Sequence, residues 1–314
     1  LARPETPSDM SGTIGELPMF VSRLNLSRAK RAALGALLAA AGAAAVPALA
    51  WAQQAPETAI TGQPAPPLAT FADFATYAEK ARLVAIVEVR DQAVVKPERA
   101  PGLTPGHARL YLEARTQALL AGSSPLGESL NYLADVPFDA RGKAPRLRKQ
   151  RFIVFADPVP GRPGTLTLVD PGAQLPATPE TEQLARTVIA ELASADAPPS
   201  ITGIRDIMSV AGNLVGESET QLFLETASGQ PVSLTVVRRP GMEPTWGVSW
   251  SEIVDQSAAP PQPQTVEWYR LACFLPAQVP AEAFLQDDRA SRLRAEADYA
   301  YILEQLGGCP RIRT

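Results

Sequence analysis

The chain has 314 residues, with 29 basic and 33 acidic side chains, a single histidine and two cysteines. A net charge of −4 argues against a dedicated nucleic-acid binder, whose affinity rests on neutralising phosphates. One histidine and two cysteines are too few for a conventional zinc cage, and no cofactor is expected.

Residues 28–54 carry the pattern of an export signal. Arg28-Ala-Lys-Arg31 gives a basic start, the run from Ala32 to Leu49 is rich in alanine and leucine, and Ala50-Trp-Ala52 supplies small residues at a cleavage point before Gln53. Gly35, Gly42 and Pro47 weaken the run below the roughly 20 strongly apolar residues of a membrane-spanning helix. The first residue is Leu1 and Met19 opens a segment of ordinary signal length. The expectation is therefore an extension ahead of the start over residues 1–18, a signal peptide over 19–52, cleavage near Ala52, and a periplasmic or secreted product. Taking five basic and three acidic side chains from 29 and 33 leaves that product a charge of about −6.

Residues 53–67 contain Ala-Pro-Pro and further prolines, and read as a linker. A β-rich domain with flanking helices is expected over 68–195. Thr70 caps a helix reaching Lys80, with Phe71, Phe74 and Tyr77 or Ala78 on one side. Five β-like runs follow at 83–89, 108–116, 129–136, 151–156 and 165–169, separated by Gly- and Pro-rich turns. A small barrel or sandwich accommodates them, and an oligonucleotide/oligosaccharide-binding type of barrel is one architectural candidate, on strand count alone. A helix over 178–193 has proline in its first turn and acids near its positive end.

Ser194-Ala-Asp-Ala-Pro-Pro-Ser200 marks a boundary, and an α+β domain is expected over 200–314. Ile201, Ile204, Ile207 or Met208, and Val210 recur at helical spacing. Strands are predicted near 220–226, 232–238, 245–251 and 265–275, with a hairpin turn at Gly229-Gln230. A long C-terminal helix over 280–306 carries Ala295, Tyr299, Ile302, Leu303 and Leu306 as an apolar stripe. The fold class is thus α+β, two small β-rich halves with barrel- or sandwich-like sheets, flanking helices and a long final helix.

An even cysteine count in an oxidising compartment predicts a Cys273–Cys309 disulfide, pinning the last helix to the strand that carries Cys273. His107 lies in a Pro- and Gly-rich loop, and no Gly-x-Ser-x-Gly, His-Glu-x-x-His, Walker or dinucleotide motif occurs.

Three features bear on function. Arg141, Lys143, Arg146, Arg148, Lys149 and Arg151 place six cations in eleven residues between two strands, a candidate anion-binding arm for lipid headgroups, envelope phosphates or an acidic partner. Glu217 and Glu219, with Glu252 and Asp255, are candidate carboxylates for acid–base work on a glycosidic bond. Trp246, Trp250 and Trp268 lie in the same half as these acids, where core packing competes with a sugar-binding shelf. The function expected is an exported, non-catalytic binding or scaffolding protein of the cell envelope. Its partner is an envelope component or an anionic membrane surface. A carboxylate-dependent envelope glycan hydrolase using Glu217, Glu219 or Glu252 is the alternative.

Overall fold

The computed structural model describes residues 68–123, 126–251 and 258–313. The leader, its cleavage point and the linker through Pro67 lie outside the described residues, as do Glu252 and Asp255. In chain order the elements are α1 (Phe71–Lys80), β1 (Leu83–Val94), β2 (His107–Gly122), β3 (Ser129–Pro137), β4 (Arg151–Pro158), β5 (Leu166–Leu168), β6 (Gln174–Pro176), α2 (Pro179–Leu192), β7 (Ile201–Ala211), β8 (Ser218–Thr226), β9 (Val232–Arg238), β10 (Thr245–Ser249), α3 (Val266–Ala272) and α4 (Arg289–Leu306). The α+β class and the C-terminal helix are both present.

Helix α1 begins where its cap dictates. The Thr70 hydroxyl accepts from the Asp73 amide at 3.1 Å, and the Asp73 carboxylate accepts from the Thr70 amide at 2.9 Å, which satisfies two otherwise orphaned donors. Phe74 and Tyr77 are fully buried and pack on Phe155 of β4, with ring centroids 5.8 and 5.5 Å apart. Phe71 meets Trp268 of α3 edge-on at 6.3 Å.

Two antiparallel sheets flank the helices. The first runs β3-β2-β1-β4-β5, with β6 also paired to β4; the second runs β10-β9-β8-β7. The first half of strand β2 alternates cleanly, so Leu110, Leu112 and Ala114 face the core while Arg109, Tyr111 and Glu113 face out. Three register shifts interrupt the β1–β2 ladder, after Val84, Ile86 and Val89. Each such bulge sharpens the local twist, and together they curl the sheet. Its outer strands consequently approach each other. Asn131 of β3 forms a single parallel bridge with Thr165 just before β5, and Asp135 donates its amide to Pro171 at 2.9 Å. No ladder continues between them, so the barrel expected as one option is not closed. Gly164 permits the close approach at that bridge: its φ is +77°, and a Cβ there would stand 2.9 Å from the Ser129 carbonyl.

Helix α1 packs on α2, β4 and α3, α3 also contacts α2 and α4, and α4 lies on β7 and β8. Buried side chains from both sheets and all four helices belong to one continuous cluster. Inside it, Asp298 of α4 is fully buried and accepts from Arg238 Nε at 2.5 Å and from the Thr220 hydroxyl, while Thr220 and Ser209 share a 2.8 Å bond. This polar network ties α4 to β7, β8 and β9.

Three local expectations are corrected. The helix-like spacing of Ile201, Ile204 and Ile207 belongs to strand β7, whose buried residues are three apart because register shifts follow Ile201 and Ile204. The predicted strand over 265–275 is instead helix α3, started by Thr265, whose hydroxyl accepts from the Trp268 amide at 3.2 Å. The final helix starts at Arg289, not Pro280. Asp288 caps it, and the segment before it is used at the sheet edge, where Leu285 donates to the Ile207 carbonyl at 3.0 Å.

Cys273 and Cys309 are bonded, with an S–S distance of 2.15 Å and a sequence separation of 36. Because Cys273 is the C-cap of α3, the bridge joins the tail after α4 to a helix and not to a sheet. Beyond it, the Ile312 and Arg313 amides donate to the Asp73 carboxylate at 3.1 Å each. Burial opposes charge on Asp73, but the hydrogen bonds from Thr70, Ile312 and Arg313 outweigh it and hold the carboxyl below its usual range.

Candidate functional site

The basic segment between β3 and β4 is built on short-range turns and on the free margin of β1. Asp139 Oδ1 accepts from the Arg141 and Lys143 amides at 2.9 and 3.0 Å, closing a tight turn through Gly142, whose φ is +69°. The chain then runs beside β1, which continues past its last pairing with β4 at Glu88. Gln92 reads this stretch with both ends of its amide, accepting from the Leu147 amide at 2.6 Å and donating to the Pro145 carbonyl at 2.9 Å. Leu147 is buried, Lys149 donates to the Val89 carbonyl at 2.8 Å, and Val89 donates to the Gln150 carbonyl at 3.0 Å.

The loop is therefore stitched along a strand margin that would otherwise be unpaired. Backbone groups, Asp139, Gln92 and Leu147 make those stitches, and the cationic head groups make none of them. Arg141, Lys143, Arg146, Arg148 and Lys149 are exposed and form no ion pair among the described residues. Arg151 differs: it lies on β4 and bonds Glu182 of α2 at 2.7 Å. Five of the six expected cations are thus available to a ligand.

The candidate carboxylates are placed differently. Glu217 precedes β8, and its Oε2 accepts from the Asn213 and Leu214 amides at 3.0 and 3.2 Å, bracing the β7–β8 turn. Glu219 is on β8, exposed, and accepts from Gln221 Nε2 at 2.8 Å. Glu252 lies outside the described residues. His107 opens β2, with Nδ1 3.3 Å from the Pro105 carbonyl. Trp246 is buried on β10, and Trp268 on α3 donates to the Leu306 carbonyl at 2.9 Å. Trp250 is half-buried and packs against the core. Among the described residues no group of three His, Cys, Asp or Glu side chains gathers to hold a metal.

A second surface feature escaped the sequence. Where β3 and β5 part, a groove of about 680 Å³ opens over the outer face of β2 and β3. Tyr111 and Leu133 sit directly opposite each other on its floor, 38% and 47% exposed. Beside them Arg109 and Asp135, also cross-strand partners, form a two-pronged pair at 2.7 and 2.8 Å. The Asp135 bonds hold the Arg109 guanidinium above its usual pKa, and Arg109 Nη1 also donates to the Pro101 carbonyl at 3.1 Å. The alternation of β2 and β3 placed these residues on an outer face. Only the register and the curl of the sheet bring them to one groove.

Among the described residues no helix is long and apolar enough to cross a membrane. The chain matches no known family, and comparison with curated proteins finds no similar sequence.

Proposed function

We propose that the chain is an exported, non-catalytic protein of the cell envelope that docks on an anionic envelope component through its 141–149 loop, after removal of the leader near Ala52. The observation that carries this reading is a division of labour within the loop. Its backbone, Asp139, Gln92 and Leu147 make the contacts that fix its shape, while Arg141, Lys143, Arg146, Arg148 and Lys149 project without ionic partners among the described residues from a protein of negative net charge. A loop already ordered loses little conformational entropy on docking. Each cation near an anionic lipid surface contributes about 1 kcal/mol. The disulfide and the basic, apolar, small-residue order of residues 28–52 support the extracytoplasmic address.

The test is co-sedimentation with phosphatidylglycerol-containing vesicles, compared with pure phosphatidylcholine. The protein should bind the anionic vesicles, release as salt rises, and lose binding when Arg146, Arg148 and Lys149 are changed to glutamine. Equal retention of the variant would reject the loop as the docking surface. Recovery of the uncleaved chain from the cytosol, with both thiols alkylatable, would reject the address.

A further inference from the structure

We infer that the open seam between β3 and β5 is a second binding site, and that its ligand class is an uncharged oligosaccharide. The site is distinct from the 141–149 loop and does not rest on it.

The seam is held at both ends and open between them. The Asn131–Thr165 bridge closes one end and the Asp135–Pro171 backbone bond the other, and the groove lies where the ladder stops. Two fixed ends hold its width, so a ligand meets a preformed cleft. At about 680 Å³ it is within the range of small-ligand sites, about 300–1,000 Å³, and has room for about two or three sugar rings.

The lining selects the chemistry. Tyr111 and Leu133 expose an aromatic and an aliphatic side chain side by side on the outer strand face, next to Arg109, Asn131 and Asp135. Such surface is unfavourable in water unless something covers it, and the C–H face of a pyranose ring is of matching size and polarity. Around this floor a single charge, that of Arg162, is left unbalanced. Arg109 and Asp135 cancel each other, and their side chains are only 16% and 10% exposed, so they present a rigid edge with both donors and acceptors. Asn131, Thr165 and Thr167 add an amide and two hydroxyls to the lining. Fixed, uncharged donors and acceptors next to an apolar floor suit sugar hydroxyls. Arg162 is the one unpaired cation in the lining, whereas a nucleic-acid strand requires several.

The experiment is isothermal titration of the full chain with chitotriose, maltotriose and cellotriose, and with a hexathymidylate as the charged competitor. At least one triose should bind saturably, with affinity reduced about tenfold or more in Tyr111→Ala and retained in Tyr111→Phe, which keeps the ring. Because Tyr111 is on the outer face, both variants should fold, which circular dichroism checks. The Arg146, Arg148 and Lys149 glutamine variant should bind the triose unchanged, which separates this site from the docking loop. The inference is overturned if no triose binds at about 1 mM, if Tyr111→Ala binds as well as the parent, or if hexathymidylate binds more tightly than every triose.

Discussion

Replacing both Cys273 and Cys309 by serine opens a closed loop of 36 residues, and the expected loss follows from that length. In the chain-entropy treatment, a loop of this size removes about 13 cal/mol/K from the unfolded state, or about 4 kcal/mol at 25 °C. The folded geometry does not depend on the bridge. Helices α3 and α4 are already joined by buried Tyr269, Leu271, Tyr299 and Ile302, and by the bond from Trp268 Nε1 to the Leu306 carbonyl. Near-ultraviolet circular dichroism of the variant should therefore match the parent while its urea midpoint falls. With a slope of about 3 kcal/mol/M the midpoint should drop by somewhat more than about 1 M. A midpoint within about 0.3 M of the parent would refute the argument, since the bridge would then constrain nothing that matters in the unfolded chain.

Asp298→Ala leaves Arg238 and the Thr220 hydroxyl without their buried partner, and should destabilise the fold by about 3 kcal/mol in urea titration; replacing Arg238 by methionine in the same chain should recover part of it. Asp73 has a folded pKa below its unfolded value, so its contribution is complete above about pH 4 and disappears as pH falls through the folded value. The melting-temperature gap between the parent and Asp73→Asn should accordingly be widest near neutral pH and narrow in acid. Gly247→Ala would place a Cβ 2.1 Å from the Ala258 carbonyl oxygen, forcing the 258–259 backbone off β10, and should lower stability by about 2 kcal/mol or more in thermal melts.

Elements with strong local signals were legible in the sequence. Thr70 with Asp73, and Thr178 ahead of Pro179, start α1 and α2 where their caps lie, and the alternation of β2, β3, β8 and β9 marks those strands. The misreadings have specific causes. Bulges after Ile201 and Ile204 stretch a two-residue period to three, which imitates a helix. In Trp268-Tyr-Arg-Leu-Ala-Cys-Phe, aromatic composition favoured a strand, but the Thr265 cap and burial against α1 favour a helix. The Thr265 and Asp288 caps were the signals that could have found α3 and the true start of α4. The basic loop was visible as a charge run, though its stitching through Gln92 and Leu147 was not, because those contacts span more than 50 residues. The groove depends on cross-strand register and on sheet curl, neither of which one strand's pattern encodes.

The clasp at Asp73 sets the path of the backbone in a way that invites rewiring. Arg313 Nε donates to the Leu68 carbonyl at 2.9 Å, so the two positions are neighbours in space. A short glycine-rich connector can join them without disturbing α1. New ends can open at the exposed Ser228-Gly229 turn, and the resulting circular permutant should keep both sheets although β9 and β10 then emerge before the first sheet and β7 and β8 after it.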